Sequence, residues 1–88
     1  MDFADLPLAT MNSVVGTSLL GAMYCAQKAV RRMAVSRGGR GGAIVNVSSQ
    51  TATFGGNRIS AYAAAKAGLN GFTVGLAREV IGDGVRVN

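Results

Sequence analysis

The chain has no histidine, no tryptophan, a single proline and a single cysteine among its 88 residues. Without histidine there is no Ser-His-Asp triad and no Cys-His dyad, and most zinc sites are excluded too, so no metal site is expected. Cys25 alone cannot form an internal disulfide, so the usual staple of a small secreted domain is missing. Acidic residues are few, four against nine basic ones, which leaves a net charge of +5. Charged residues make up 15% and hydrophobic ones 49%, the reverse of the balance that keeps a chain disordered.

The basic excess raises the question of an anionic partner. The positive residues are scattered, and only the stretch from Lys28 to Arg40 gathers five of the nine. A solvated helix end followed by a loop accounts for that stretch. The uncharged run from Leu6 to Gln27 is long enough to span a bilayer. It carries Pro7, Thr10, Asn12, Ser13, Thr17 and Ser18, however, and acidic Asp2 and Asp5 precede it where an export signal needs positive charge. A helix packed inside a soluble, cytoplasmic protein is the expectation.

Periodicity organises the rest. Apolar Val15, Leu19, Met23, Ala26, Val30 and Met33 recur at steps of three and four, predicting one long helix from Pro7 or Leu8 to Val35. Four glycines in SRGGRGG, residues 36–42, stop it. The run AIVNV, residues 43–47, has the Val/Ile content of a parallel strand buried on both faces. A polar loop over 48–59 leads to a second helix from Ser60 to Ile81. Its apolar stripe is Leu69, Phe72, Leu76 and Val80, and Ala64, Ala67, Gly68, Gly71 and Gly75 form a face another helix could approach closely. Gly82 and Gly84 end it, and VRV at 85–87 begins another strand. Helix, strand, helix and strand onset predict an α/β layered fold with a parallel sheet. One full strand is not a sheet, so the pattern reads as a middle piece of a larger domain.

Chemistry concentrates at three residues. Tyr62 and Lys66 lie four apart on the second helix and so share a face. A phenol gives up its proton only near pH 10, and a neighbouring ammonium favours the phenolate. Ser49 follows the strand directly, thirteen residues before Tyr62, at the strand end where α/β sheets bind ligands. Its hydroxyl could hold a substrate oxygen while Tyr62 transfers the proton.

In this order and spacing, GGAIVNVSS, YAAAK, LAREV and GVRVN resemble the central catalytic stretch of the short-chain dehydrogenases/reductases. The upstream VVGTSLLGAMYCAQKAVRRM is similar to the helix before that family's catalytic strand. The resemblance runs from about Met11 to Asn88 and implies a partial Rossmann-like, doubly wound α/β fold, with residues 1–88 a fragment of a single NAD(P)-binding domain. It implies reversible hydride transfer between NAD or NADP and a small alcohol or carbonyl substrate. Tyr62 would be the general acid/base, and Lys66 would favour the phenolate and bind the nicotinamide ribose. Ser49 would orient the substrate oxygen, and Asn46 would be structural. The family's fourth catalytic residue, an asparagine three positions before a glycine, falls on Ser13 when counted from Gly16, with Asn12 adjacent. Either Ser13 substitutes, or the helix start is shifted and Asn12 serves.

The family's glycine-rich cofactor turn follows a strand and opens a helix, whereas SRGGRGG follows a helix and enters a strand. The expectation is therefore that the 88-residue chain alone neither binds a dinucleotide tightly nor turns over. Two other functions compete with this one. One is a non-catalytic interaction module, with the two long helices forming a homo-oligomer interface as they commonly do in the resembling family. The other is RNA binding through the consecutive triplets Arg37-Gly38-Gly39 and Arg40-Gly41-Gly42, although RNA-binding segments of that kind are longer and flanked by disorder.

Overall fold

The structure is a computed structural model that describes residues 2–54 and 59–88. After a short 3-10 turn at Phe3–Asp5, Pro7 in extended backbone (φ −61°, ψ 144°) stands just outside the first helix, α1, Leu8–Val15. Its carbonyl accepts the Thr10 and Met11 amides at 3.0 and 3.1 Å, which satisfies two of the first-turn N–H groups. Helical backbone continues without a break through Gly16–Leu20 into α2, Gly21–Met33. Residues 16–20 are wound as a π-helix, with the Gly21 amide bonded to the Gly16 carbonyl five residues back. A Cβ at Gly21 would sit 3.3 Å from that carbonyl oxygen, so glycine eases the wider turn. The single long helix predicted from periodicity is therefore helical over 8–33, with one π turn inside it.

The expected stop is a set of bonded turns rather than a free glycine loop. Gly39 and Gly41 donate to the Ala34 and Met33 carbonyls at 2.9 and 2.7 Å, and the Ser36 amide donates to the Asp83 carboxylate at 3.2 Å. Gly41 has φ +81°, and a Cβ there would lie 2.6 Å from the Gly84 carbonyl oxygen, so this crossing admits only glycine.

Two strands, β1 at Gly42–Ile44 and β2 at Val85–Val87, pair in parallel, with Gly42 opposite Val85 and Ile44 opposite Val87. Hydrogen bonds from Asn88 to Ile44 (3.0 Å) and from Asn46 to Asn88 (2.7 Å) carry the pairing beyond the strand proper. The helix α4, Ser60–Val80, returns the chain across one face of this ribbon. Val80, Val85 and Val87 form the core, with Val30, Met33, Ile44, Leu76 and Ala77 packed around them. Fully burying Val85 is worth about 2 kcal/mol.

Two expectations need correction. Residues 48–59 are not wholly loop, because α3 occupies Thr51–Phe54; residues 55–58 lie outside the described residues. The run at 43–47 is not buried on both faces. Ile44 and Asn46 turn toward the helices, while Val45 and Val47 on the alternate face are 73% and 75% exposed, because no described element covers that side. The radius of gyration is 15.1 Å, against about 12 Å for a compact domain of this length. Among the described residues no helix is long and apolar enough to cross a membrane.

Candidate functional site

The segment that follows β1 runs beside α4, and polar side chains tie the two together from Lys66 to Thr73. Asn46 donates from Nδ2 to Thr73 Oγ1 at 2.9 Å, and Thr73 in turn donates to the Leu69 carbonyl at 2.7 Å. One residue beyond Val47, the Ser48 hydroxyl donates to the Lys66 carbonyl at 3.3 Å. In the opposite direction the Lys66 ammonium donates to the Val47 carbonyl at 2.9 Å. Lys66 is thus held to the strand end through both its backbone and its side chain.

The same ammonium lies 5.7 Å from the centroid of the Tyr62 ring, within cation–π range. Tyr62 sits one turn earlier on α4 and is 36% exposed. Small residues make this packing close: Ala63 and Ala65 between them are buried.

Ser49 stands at the same rim, where the chain leaves the strand and turns into α3. Its hydroxyl oxygen accepts the Thr51 amide at 3.3 Å and the Thr51 hydroxyl at 3.0 Å, and its carbonyl accepts the Ala52 amide at 3.0 Å. The structure therefore ties Lys66 to the Val47 carbonyl and sets its ammonium 5.7 Å from the Tyr62 ring, with Ser49 two residues past Val47 in the chain. Among the described residues no hydrogen bond joins Ser49 to Tyr62 itself.

Ser13 and Asn12 occupy the straight α1 helix, and both are exposed. Sequence reading passed over Ser18, which is half-buried within the π segment. Ser18 also lies three positions before a glycine, Gly21, so the spacing used to reach Ser13 from Gly16 finds it equally well. The neighbouring Leu19 packs on α4, where a Cβ at Gly68 would lie 3.0 Å from its side chain. Gly68 is thus where the small-residue face meets a helix, whereas a Cβ added at Gly71 or Gly75 would meet no described neighbour within 4 Å.

An ammonium carries three N–H donors, and Lys66 spends one on Val47. With no other acceptor for it among the described residues, its remaining two donors suit the paired hydroxyls of a ribose, the sugar that a nicotinamide nucleotide carries. Away from the rim, a groove of about 500 Å³ runs between α2 and α4, lined by Met23, Tyr24, Gln27, Arg31, Phe72 and Leu76.

Comparison with known proteins is concordant. The family model for short chain dehydrogenase matches residues 1–88. The chain is 43% identical over 86 residues to the uncharacterized oxidoreductase YgfF of Escherichia coli, covering 96% of this chain and 34% of that protein. It is 46% identical over 67 residues to the L-rhamnose 1-dehydrogenase (NAD(P)(+)) of Azotobacter vinelandii, covering 76% of this chain and 25% of that protein. Among solved structures, acetoin dehydrogenase YohF from Salmonella typhimurium superposes with a TM-score of 0.91 at 36% identity, covering 99% of this chain and 35% of that one. The chain spans between a quarter and about a third of the length of these relatives.

Proposed function

The chain belongs to the short-chain dehydrogenase/reductase family, and from that premise we propose that it supplies the catalytic residues of an NAD(P)-dependent oxidoreductase acting on a small alcohol or carbonyl compound. The observation that carries this reading is Lys66, bound to the Val47 carbonyl at 2.9 Å and set over the Tyr62 ring at 5.7 Å, at the rim of a parallel sheet. A bound nicotinamide would supply the hydride for reduction and accept it in oxidation.

In this proposal the chain's own residues take the following roles. Tyr62 gives its phenolic proton to the substrate oxygen during reduction and takes it back during oxidation. The Lys66 charge stabilises the phenolate between those events, and its two free donors hold the ribose. Ser49 donates a hydrogen bond to the substrate oxygen. For the fourth position we favour Ser18 over Ser13 and Asn12, because Ser18 lies half-buried in the π segment and the other two are exposed.

Three further features support the wider reading. The uncovered Val45 and Val47 face and the extended radius of gyration fit one segment of a single Rossmann-like domain. The groove between α2 and α4, with Tyr24 60% exposed at its edge, fits a homo-oligomer formed through the two long helices. The bonded turns at 35–42 argue against RNA binding by the RGG triplets, because the Arg37, Gly38, Gly39, Gly41 and Gly42 amides donate to the Ala34, Val35, Met33 and Gly84 carbonyls, which makes the segment ordered where RNA-binding RGG segments are disordered.

The test is NADH and NADPH oxidation at 340 nm by the full chain, meaning a complete Rossmann-like domain that contains these 88 residues, with diacetyl and a panel of aldoses and ketones as substrates, beside the same domain carrying Tyr62→Phe. Turnover that Tyr62→Phe abolishes is the expected result. Equal rates for the two proteins would end the proposal.

A further inference from the structure

We propose that Thr51 is a positioning residue for Ser49, aiming the Ser49 hydroxyl proton outward at the substrate oxygen. The inference rests on the reading of Ser49 proposed above. A serine hydroxyl has one proton to give and two lone pairs with which to accept. Here the oxygen accepts twice from the same neighbour, from the Thr51 amide at 3.3 Å and the Thr51 hydroxyl at 3.0 Å.

An amide N–H can only donate, so the first bond fixes the direction in which the serine oxygen accepts. The second fills its other lone pair. Among the described residues these are the bonds the serine oxygen makes, and they leave its proton to donate, which is the capacity a carbonyl substrate needs. The Ser49 backbone is pinned as well, its carbonyl accepting the Ala52 amide at 3.0 Å, so the hydroxyl rotor is the remaining freedom. Thr51 removes it. Both side chains are half-buried, which limits competition from water for the same lone pairs.

A residue that merely filled space would be replaced without loss by valine, which matches threonine in shape. Thr51→Val should lower kcat for carbonyl reduction by the full chain about tenfold, the scale of one hydrogen bond to a reacting group. The KM for the nicotinamide cofactor should not move. Thr51→Ser, which keeps the hydroxyl, should restore the rate. A substrate-independent measurement accompanies these: amide hydrogen exchange at Thr51 should speed up in Ser49→Ala.

Thr51→Val with wild-type kcat, alongside an inactive Ser49→Ala, overturns the role of Thr51 and leaves the catalytic reading intact. Full activity in Ser49→Ala overturns that reading, and this inference with it. Unchanged Thr51 amide exchange in Ser49→Ala removes the hydrogen bond on which the inference depends, whether or not any carbonyl tried is turned over.

Discussion

The Lys66 ammonium reaches back to the Val47 carbonyl, 2.9 Å away, at the point where the strand leaves the sheet. The bond spans the junction between strand and helix and fixes the long side chain in the stretch that carries Tyr62. Lys66→Met keeps the length and removes the charge and the donors. The expected outcome in the full chain is a fall in kcat/KM of about 100-fold or more, the range of a general acid–base contribution. Circular dichroism should not change, and Lys66→Arg should recover little, because a planar guanidinium does not replace a compact ammonium. Steady-state kinetics on the three proteins would decide it.

Further along the same junction, Asn46 and Thr73 join strand to helix at 2.9 Å. Thr73→Val leaves the Asn46 amide partly buried without its acceptor and should cost about 1–3 kcal/mol of stability. Thr73→Ser should cost much less. A double-mutant cycle with Asn46→Ala and Thr73→Val, read by urea denaturation, should give a coupling energy of about 1 kcal/mol. Additive effects would show that the two side chains act separately.

What could be read from the sequence follows from which interactions are local. The helices at 8–33 and 60–80 were legible because Val15, Leu19, Met23 and Ala26, and likewise Leu69, Phe72, Leu76 and Val80, repeat at the helical period. That Tyr62 and Lys66 share one face of the second helix was legible from their spacing of four residues. The π turn was not, since its signature is a shift in backbone hydrogen bonding, as from the Gly21 amide to the Gly16 carbonyl, and no side-chain period reports that. The short α3 was hidden because Thr51 and Ala52 suit a turn as well as a helix, and Ser49 decides between them by accepting both amides. The exposure of Val45 and Val47 was hidden for a different reason: composition tells what a strand can bury, and only the fold tells what covers it.

At the crossing of the two strand entries, Gly41 holds φ +81° against the Gly84 carbonyl. Gly41→Ala meets both a backbone penalty and an overlap at 2.6 Å with a backbone oxygen that cannot rotate away. A loss of about 1–3 kcal/mol is expected, measured as a lower urea midpoint. Gly71→Ala is the control, because nothing lies within 4 Å of its added Cβ and alanine favours helix by about 1 kcal/mol. Equal effects from the two substitutions would contradict the geometry at Gly41.

The groove between α2 and α4 offers the last test. Tyr24 and Val74 stand 60% and 56% exposed on the two helices, and Arg31 and Glu79 line the groove between them. Under a two-fold axis each copy would present the same surface to the other, so one substitution alters the interface twice. Tyr24→Glu places a charge where an apolar ring would be buried and should shift sedimentation of the full chain from oligomer to monomer. Its helical content should be retained, because Tyr24 contributes nothing to the chain's buried core. If Tyr24→Glu sediments as the unaltered chain does, the two helices are not where the copies meet.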